Sequence, residues 1–324
     1  MIVVTGGAGF IGSAIVQELN NRGISGILVV DDVDHEEKAK NLTAVQYANL
    51  QGKADFLQAI QSRSLTSSIT AIIHMGACSS TTETDREFLT QNNFEYTRDL
   101  AEFSLERGIR FIYASSAATY GDGAQGYLDD DSRLDSLRPL NLYGESKQRF
   151  DLWAREKGAF DKIVGLKYFN VYGPNEYHKG DMQSLVRKGF FQVRETGTIR
   201  LFKSYKPEYA DGGQERDFLY IKDAVAMTLF FLDRPEVGGL FNVGSGTARN
   251  WNHLAKALFS ALGRKPNIEY IEMPPSIRDQ YQYHTQAEMG KIRKAGCDAP
   301  ITSLEGGIKD YVQNYLLPGK RLGE

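Results

Sequence analysis

Residues 2–12 read Ile2-Val3-Val4-Thr5-Gly6-Gly7-Ala8-Gly9-Phe10-Ile11-Gly12. A β-branched apolar run enters a glycine-rich turn, and a helical pattern over residues 11–20 leaves it. The run predicts a buried parallel strand. In Gly7-x-Gly9-x-x-Gly12 each glycine has its own task. Gly7 permits a tight turn, Gly9 lets the backbone approach a pyrophosphate, and Gly12 lets the helix pack closely on the sheet. The N–H groups that open the helix then face the phosphates. Strand, turn and helix together predict dinucleotide binding.

Reading outward, residues 27–30 (ILVV) form a second strand closed by Asp31-Asp32. Asp31 stands about 20 residues beyond the glycines, where a carboxylate binds the ribose of NAD. Lys38 and Lys53 follow, and either is placed to answer the 2′-phosphate of NADP; plain solvation is the alternative for a surface lysine. Strands are expected at 69–73, 110–114 and 163–168, with a short helix at 55–61 and longer ones at 84–107 and 141–157. This β-α alternation predicts an α/β fold, a Rossmann-type doubly wound parallel sheet with a smaller C-terminal substrate-binding α/β subdomain.

Past residue 170 the alternation weakens. Residues 181–194, 222–233, 250–262 and 303–316 read as helices, 199–202 and 240–243 as strands, and 203–217 as a polar loop. The expected division is a dinucleotide-binding domain over 1–170, rejoined by segments from about 217–250, and a substrate domain over most of 171–324.

Composition narrows the function. The 324 residues carry 38 Lys+Arg against 41 Asp+Glu, a net charge of −3, so no basic excess is available to hold a nucleic-acid backbone. No apolar run reaches the length of a spanning helix. Cys78 and Cys297 are too few for a disulfide framework and point to a reducing compartment, the cytoplasm. No metal is expected.

Tyr143-Gly144-Glu145-Ser146-Lys147 sets a tyrosine and a lysine four apart, on one face of a helix. An ordinary phenol is too weak an acid to serve as a base at neutral pH, and a neighbouring ammonium favours the phenolate. Such a pair beside a hydride acceptor is a proton-transfer device. Ser116, at the C-terminal edge of the 110–114 strand, can hydrogen-bond the reacting oxygen.

These features resemble the extended short-chain dehydrogenase/reductase family of nucleotide-sugar epimerases and dehydratases. The glycine segment and the Ser116, Tyr143, Lys147 set carry the likeness. Residues 76–82 (GACSSTT), 113–121 (YASSAATYG), 168–174 (YFNVYGP) and His178-Lys179-Gly180 are similar to its ADP-heptose branch, over residues 1 to about 316. The resemblance implies epimerisation at C6″ of an ADP-linked glyceromanno-heptose for lipopolysaccharide core supply, with tightly held NADP and homo-oligomers, pentamers among them.

The same resemblance implies roles by position. Phe10, Ile11, Asp31, Asp32, Lys38 and Lys53 correspond to cofactor contacts, as do Met75, Gly76, Ala77, Cys78, Ser79 and Asn92, and also Lys147 and Val171. Ser116, Asn170, Lys179, Asp181 and Lys188 correspond to substrate contacts, as do Phe202, Lys203, Ser204, Arg216 and Tyr281. Tyr143 and Lys179 match two acid/base groups. Asp32 replaces the usual Asn, Met75 a frequent Glu, Asp181 a Ser and Lys188 a His, and the 205–215 loop is longer than usual. Ala117-Ala118 after Ser116 cannot move the extra proton that a 4,6-dehydratase needs. A UDP-hexose 4-epimerase and a non-catalytic nucleotide sensor are the weaker readings, the latter opposed by the intact Tyr/Lys set.

Overall fold

The computed structural model describes residues 1–33, 35–65, 68–278 and 281–324. The first half holds strands β1 (Ile2–Thr5), β2 (Ile27–Val30), β3 (Asn49–Gln51), β4 (Ala71–His74), β5 (Arg110–Ser116) and β6 (Ile163–Tyr168). Its helices are α1 (Phe10–Asn21), α2 (Glu36–Ala39), α3 (Lys53–Gln61), α4 (Arg86–Leu89), α5 (Tyr96–Arg107) and α6 (Leu142–Glu156). Every residue of β1, β2, β4 and β6 is buried, because helices cover both faces of the sheet.

The second half contributes β7 (Asn170–Tyr172), α7 (Leu185–Thr196), β8 (Ile199–Phe202), β9 (Glu215–Tyr220), α8 (Ile221–Asp233) and β10 (Gly239–Val243). It continues with β11 (Ala248–Asn250), α9 (Trp251–Ala261), β12 (Ile268–Ile271), α10 (Pro275–Arg278), α11 (Gly290–Lys294) and α12 (Leu304–Asp310). The large sheet has the order β10-β6-β5-β4-β1-β2-β3, parallel throughout. The chain therefore returns to it: α8 packs on α1, and β10 pairs with β6. Two small sheets, β11-β9-β7 and β12-β8, stand apart from it. The strand order reverses between β1 and β4, the switch point outside which such sheets bind ligands. Among the described residues no helix is long and apolar enough to cross a membrane.

Several expectations are corrected. The loop expected over 203–217 gives way to β9 at Glu215. Its polar residues tolerate burial because they are bonded: Asp217 accepts from the N–H groups of Ser245, Gly246 and Ala287 at 2.6, 2.9 and 2.9 Å. The strand expected at 69–73 spans Ala71–His74, in register with β1. The helix expected over 84–107 is interrupted by a π-helical turn, Thr90–Glu95. The helix expected from 181 begins at Leu185, where the Ser184 side chain caps it. The short strands β3, β7, β11 and β12 carry too few residues to show a period.

Candidate active site

The glycine turn after β1 is built by close approach. Its left-handed residue is Gly6, at φ +64°, rather than Gly7, which corrects the expected assignment. A Cβ on Gly7 would instead lie 2.9 Å from Val29 Cγ1, and one on Gly12 only 2.1 Å from the Gly6 carbonyl oxygen. The first turn of α1 is thereby pressed onto the loop, with its free N–H groups toward the crevice. Asp31 holds the loop from β2: its carboxylate accepts from the Ala8 N–H at 2.9 Å and pairs with Lys38 Nζ at 2.5 Å. Lys38 also donates to the Asp32 carbonyl at 2.9 Å.

Two adjoining cavities open here. The larger, about 740 Å³, runs from the glycine turn past Asp31, Met75 to Ser79 and Ser116 to Tyr143, Lys147, Asn170, Val171 and Lys179. The smaller, about 220 Å³, lies among Asp32, Lys38, Lys53 and Asn92 and shares Asp31 and Gly76 to Cys78 with the first. Asp32 accepts from the Lys53 N–H at 3.0 Å, and Lys53 Nζ donates to Asn92 at 2.6 Å. A crevice with the free N–H groups of α1 in its larger part and Asp31, Asp32, Lys38 and Lys53 toward the smaller fits a nicotinamide dinucleotide.

The π-helical turn serves both ends of this site. Asn92 faces Lys53, whereas buried Asn93 exchanges hydrogen bonds with the Cys78 N–H and carbonyl, each 2.9 Å, and donates to Ser146 Oγ at 3.0 Å. Ser146 in turn donates to the Tyr143 carbonyl at 2.7 Å. One side chain thus joins the 76–79 loop to the helix that carries Tyr143 and Lys147. Such bulges are frequent at functional sites.

On α6, Asn141 caps the helix through the Gly144 N–H at 2.8 Å. Burial raises the Tyr143 phenol above its usual range, opposed by the nearby Ser116 hydroxyl. Lys147 donates to the Ala114 carbonyl at 2.9 Å. Burial lowers its ammonium to about 8, opposed by the charge of Asp151 one turn on. Asp151 is sealed from solvent and accepts from Tyr113 at 2.8 Å, Ser115 at 2.7 Å and Lys167 at 3.0 Å. Beneath the crevice His74 bridges Thr5 at 2.6 Å and Thr97 at 2.9 Å, and burial lowers it to about 3, so it stays neutral.

Lys179 enters from the other side, after β7, with its Nζ 5.3 Å from the Phe10 ring centroid. Burial lowers its pKa, opposed by the carboxylate of Glu176. Its neighbour His178 is lowered to about 4 by burial and by Lys38 and Lys179. Tyr143, on α6, and Lys179, on the turn after β7, therefore face one cavity.

The remaining expected substrate residues stand outside that cavity. Arg216 is buried, 4.9 Å from the Tyr281 ring and 5.7 Å from the Trp251 ring. Phe202 packs on Tyr281, and Trp251 donates to the Tyr281 hydroxyl at 2.9 Å. Trp251 also lines the cavity and so connects it to this cluster. Lys203 pairs with Glu272 at 2.7 Å, Ser204 closes a turn through Asp211, and Lys188 donates to the Asp181 carbonyl. Sequence reasoning missed Trp251, Leu185 and Phe218 in the larger cavity and Phe88 and Tyr96 in the smaller. They come from separate elements with no shared motif, so only the packing assembles them.

A model of the NAD dependent epimerase/dehydratase family matches residues 2–244, and the chain belongs to that family. Within it, the chain is 53% identical over 316 residues to the ADP-L-glycero-D-manno-heptose-6-epimerase of Nitratidesulfovibrio vulgaris Hildenborough, with 98% of each chain covered. It is 47% identical to the enzyme of the same name from Fusobacterium nucleatum, again over 98% of each. Among solved structures, the ADP-L-glycero-D-manno-heptose-6-epimerase of Helicobacter pylori superposes with a TM-score of 0.81 at 28% identity, covering 97% of this chain and 95% of that one.

Proposed function

We propose that the protein inverts C6″ of ADP-D-glycero-β-D-manno-heptose to give the L-glycero epimer for lipopolysaccharide core assembly. The observation that carries this reading is the placement of Tyr143 on α6 and Lys179 on a separate turn around one cavity. The kinship to the heptose epimerases of Nitratidesulfovibrio and Fusobacterium supports the substrate.

A bound nicotinamide would take hydride from the sugar carbon and return it to the opposite face. Tyr143 takes the C6″ hydroxyl proton in one orientation of the sugar, with Ser116 steadying the oxygen and Lys147 supplying positive charge against the phenolate. The C6″ carbonyl then turns within the closed site. With the oxygen in the opposite orientation Lys179 gives it a proton, and the reverse reaction exchanges the two roles. Burial opposes ionisation of Tyr143, so the charge of Lys147 is needed to offset it. Ala117 and Ala118 add no proton-transferring group to this set.

NADP is the cofactor in this reading. Lys38 neutralises Asp31, the Asp32 carboxylate keeps its charge but is held by the Lys53 N–H, and the Lys38 and Lys53 ammoniums are the cations that would meet a 2′-phosphate. Homo-oligomers, up to a pentamer, belong to the same reading, and sedimentation would size them. The deciding experiment incubates the protein separately with ADP-D-glycero-β-D-manno-heptose and UDP-glucose and resolves the epimers by chromatography. Conversion of the heptose alone is expected; turnover of UDP-glucose alone would replace this reading with a 4-epimerase.

A further inference from the structure

Tyr177-His178-Lys179 leaves the Gly173-Pro174 turn with no helix or strand of its own. Polar side chains hold it instead. Asn175 is buried and stands in the left-handed region at φ +77°, which Asn accepts more readily than most residues. Its carbonyl accepts from Asn41 Nδ2 at 3.0 Å, its Nδ2 donates to Ser13 Oγ at 3.0 Å, and its Oδ1 accepts from the Leu322 N–H at 3.1 Å.

Two residues on, Tyr177 donates to the Lys320 carbonyl at 2.7 Å, and its ring centroid lies 4.9 Å from the Arg321 guanidinium. Arg321 reaches on to Glu37 at 2.6 Å and to Asn41 Oδ1 at 3.3 Å. Asn41 also donates to the Ala8 carbonyl of the glycine loop at 3.0 Å. The Arg321 side chain is only 10% exposed. A guanidinium so enclosed requires its partners, and here they are the residues that set the turn before Lys179 against the cofactor loop.

We propose that Arg321, through the Lys320–Leu322 strap, is a positioning residue for Lys179. The proposal rests on the two-base reading above. Glu37 keeps its second partner, Lys40 at 2.7 Å, when Arg321 is truncated, so the substitution strands no charge. What it loosens is the turn. A reacting group displaced by about 1 Å can lose about 10²-fold in rate.

The test uses the NADP-loaded protein and Arg321→Ala, with Lys179→Met alongside. Hydrogen–deuterium exchange across residues 175–182 is expected to quicken by about tenfold while the large sheet keeps its protection. Single-turnover oxidation from each heptose epimer, at saturating substrate, is expected to slow by about tenfold in the direction Lys179→Met impairs and to hold within about twofold in the other. Arg321→Lys should restore most of the loss. Unchanged exchange over 175–182 overturns the proposal, as does equal slowing of both directions when Lys179→Met is asymmetric. If Lys179→Met itself slows both directions alike, the two-base reading fails and the exchange result alone decides the strap. Should Arg321→Ala lose the sheet's protection, Asn175→Gly replaces it: glycine keeps the left-handed backbone and removes the ties to Ser13 and Leu322.

Discussion

Tyr143 and Lys179 face the same cavity but are held by different means. Tyr143 sits on α6, fifteen residues long and capped by Asn141, with the buried Asp151–Lys167 pair behind it. Lys179 sits on an irregular turn kept in place by Asn41, Asn175, Tyr177 and Arg321. The first group inherits its position from backbone ladders and packing. The second depends on a few polar contacts between segments far apart in the chain, so its placement is the easier of the two to disturb without unfolding the protein.

The largest effect should come from the rigid side. Tyr143→Phe keeps the ring and removes the hydroxyl proposed to transfer the proton, and should lower epimerisation by roughly 10²–10⁴-fold with cofactor binding retained. Steady-state turnover within about threefold of the parent would remove Tyr143 from the mechanism. On the softer side, Lys179→Met should slow oxidation by about 10²-fold from one heptose epimer and far less from the other. A charge anchor for the diphosphate would weaken substrate binding and leave saturated turnover intact, which single-turnover rates at saturation distinguish.

Smaller effects sharpen the contrast. Lys38→Ala and Lys53→Ala should each weaken NADP by about tenfold and NAD far less, as expected for a lost charge-assisted bond. Titration calorimetry on cofactor-stripped protein measures this, and equal losses for the two cofactors would show that neither lysine reads the phosphate. The gentlest probe is pH. Lys147 is lowered to about 8 and must be protonated to support the Tyr143 phenolate, so the Tyr143-dependent direction should lose rate as pH rises through that value. Lys147→Arg, which stays charged, should abolish that alkaline limb; a limb that persists would assign it to another group.

The rigid side is also the one that can be read from sequence. Gly7-x-Gly9-x-x-Gly12, Asp31 and Tyr143-x-x-x-Lys147 occupy fixed offsets within regular elements, and apolar runs mark the strands between them. Even there the positive φ falls on Gly6, because spacing does not reveal which glycine turns. Lys179 was legible only through a family likeness, and its supports were not legible at all: Asn41 and Arg321 are ordinary polar residues until the fold brings them together. Trp251 and Phe218 were hidden for the same reason, and β9 because Arg216 and Asp217 look like loop residues unless their buried partners are known.

The Asp151–Lys167 pair limits how this chain can change over generations. With side-chain exposures of 0% and 1%, replacing either member alone strands a charge inside the protein. That costs about 3–5 kcal/mol, a large share of the roughly 5–15 kcal/mol that holds a typical fold. Exchanging both for apolar residues avoids the stranded charge but leaves the hydroxyls of Tyr113 and Ser115 without their acceptor, one residue from Ser116. A substitution at either position alone therefore carries the full cost of a stranded charge, and the two positions are expected to change together or not at all.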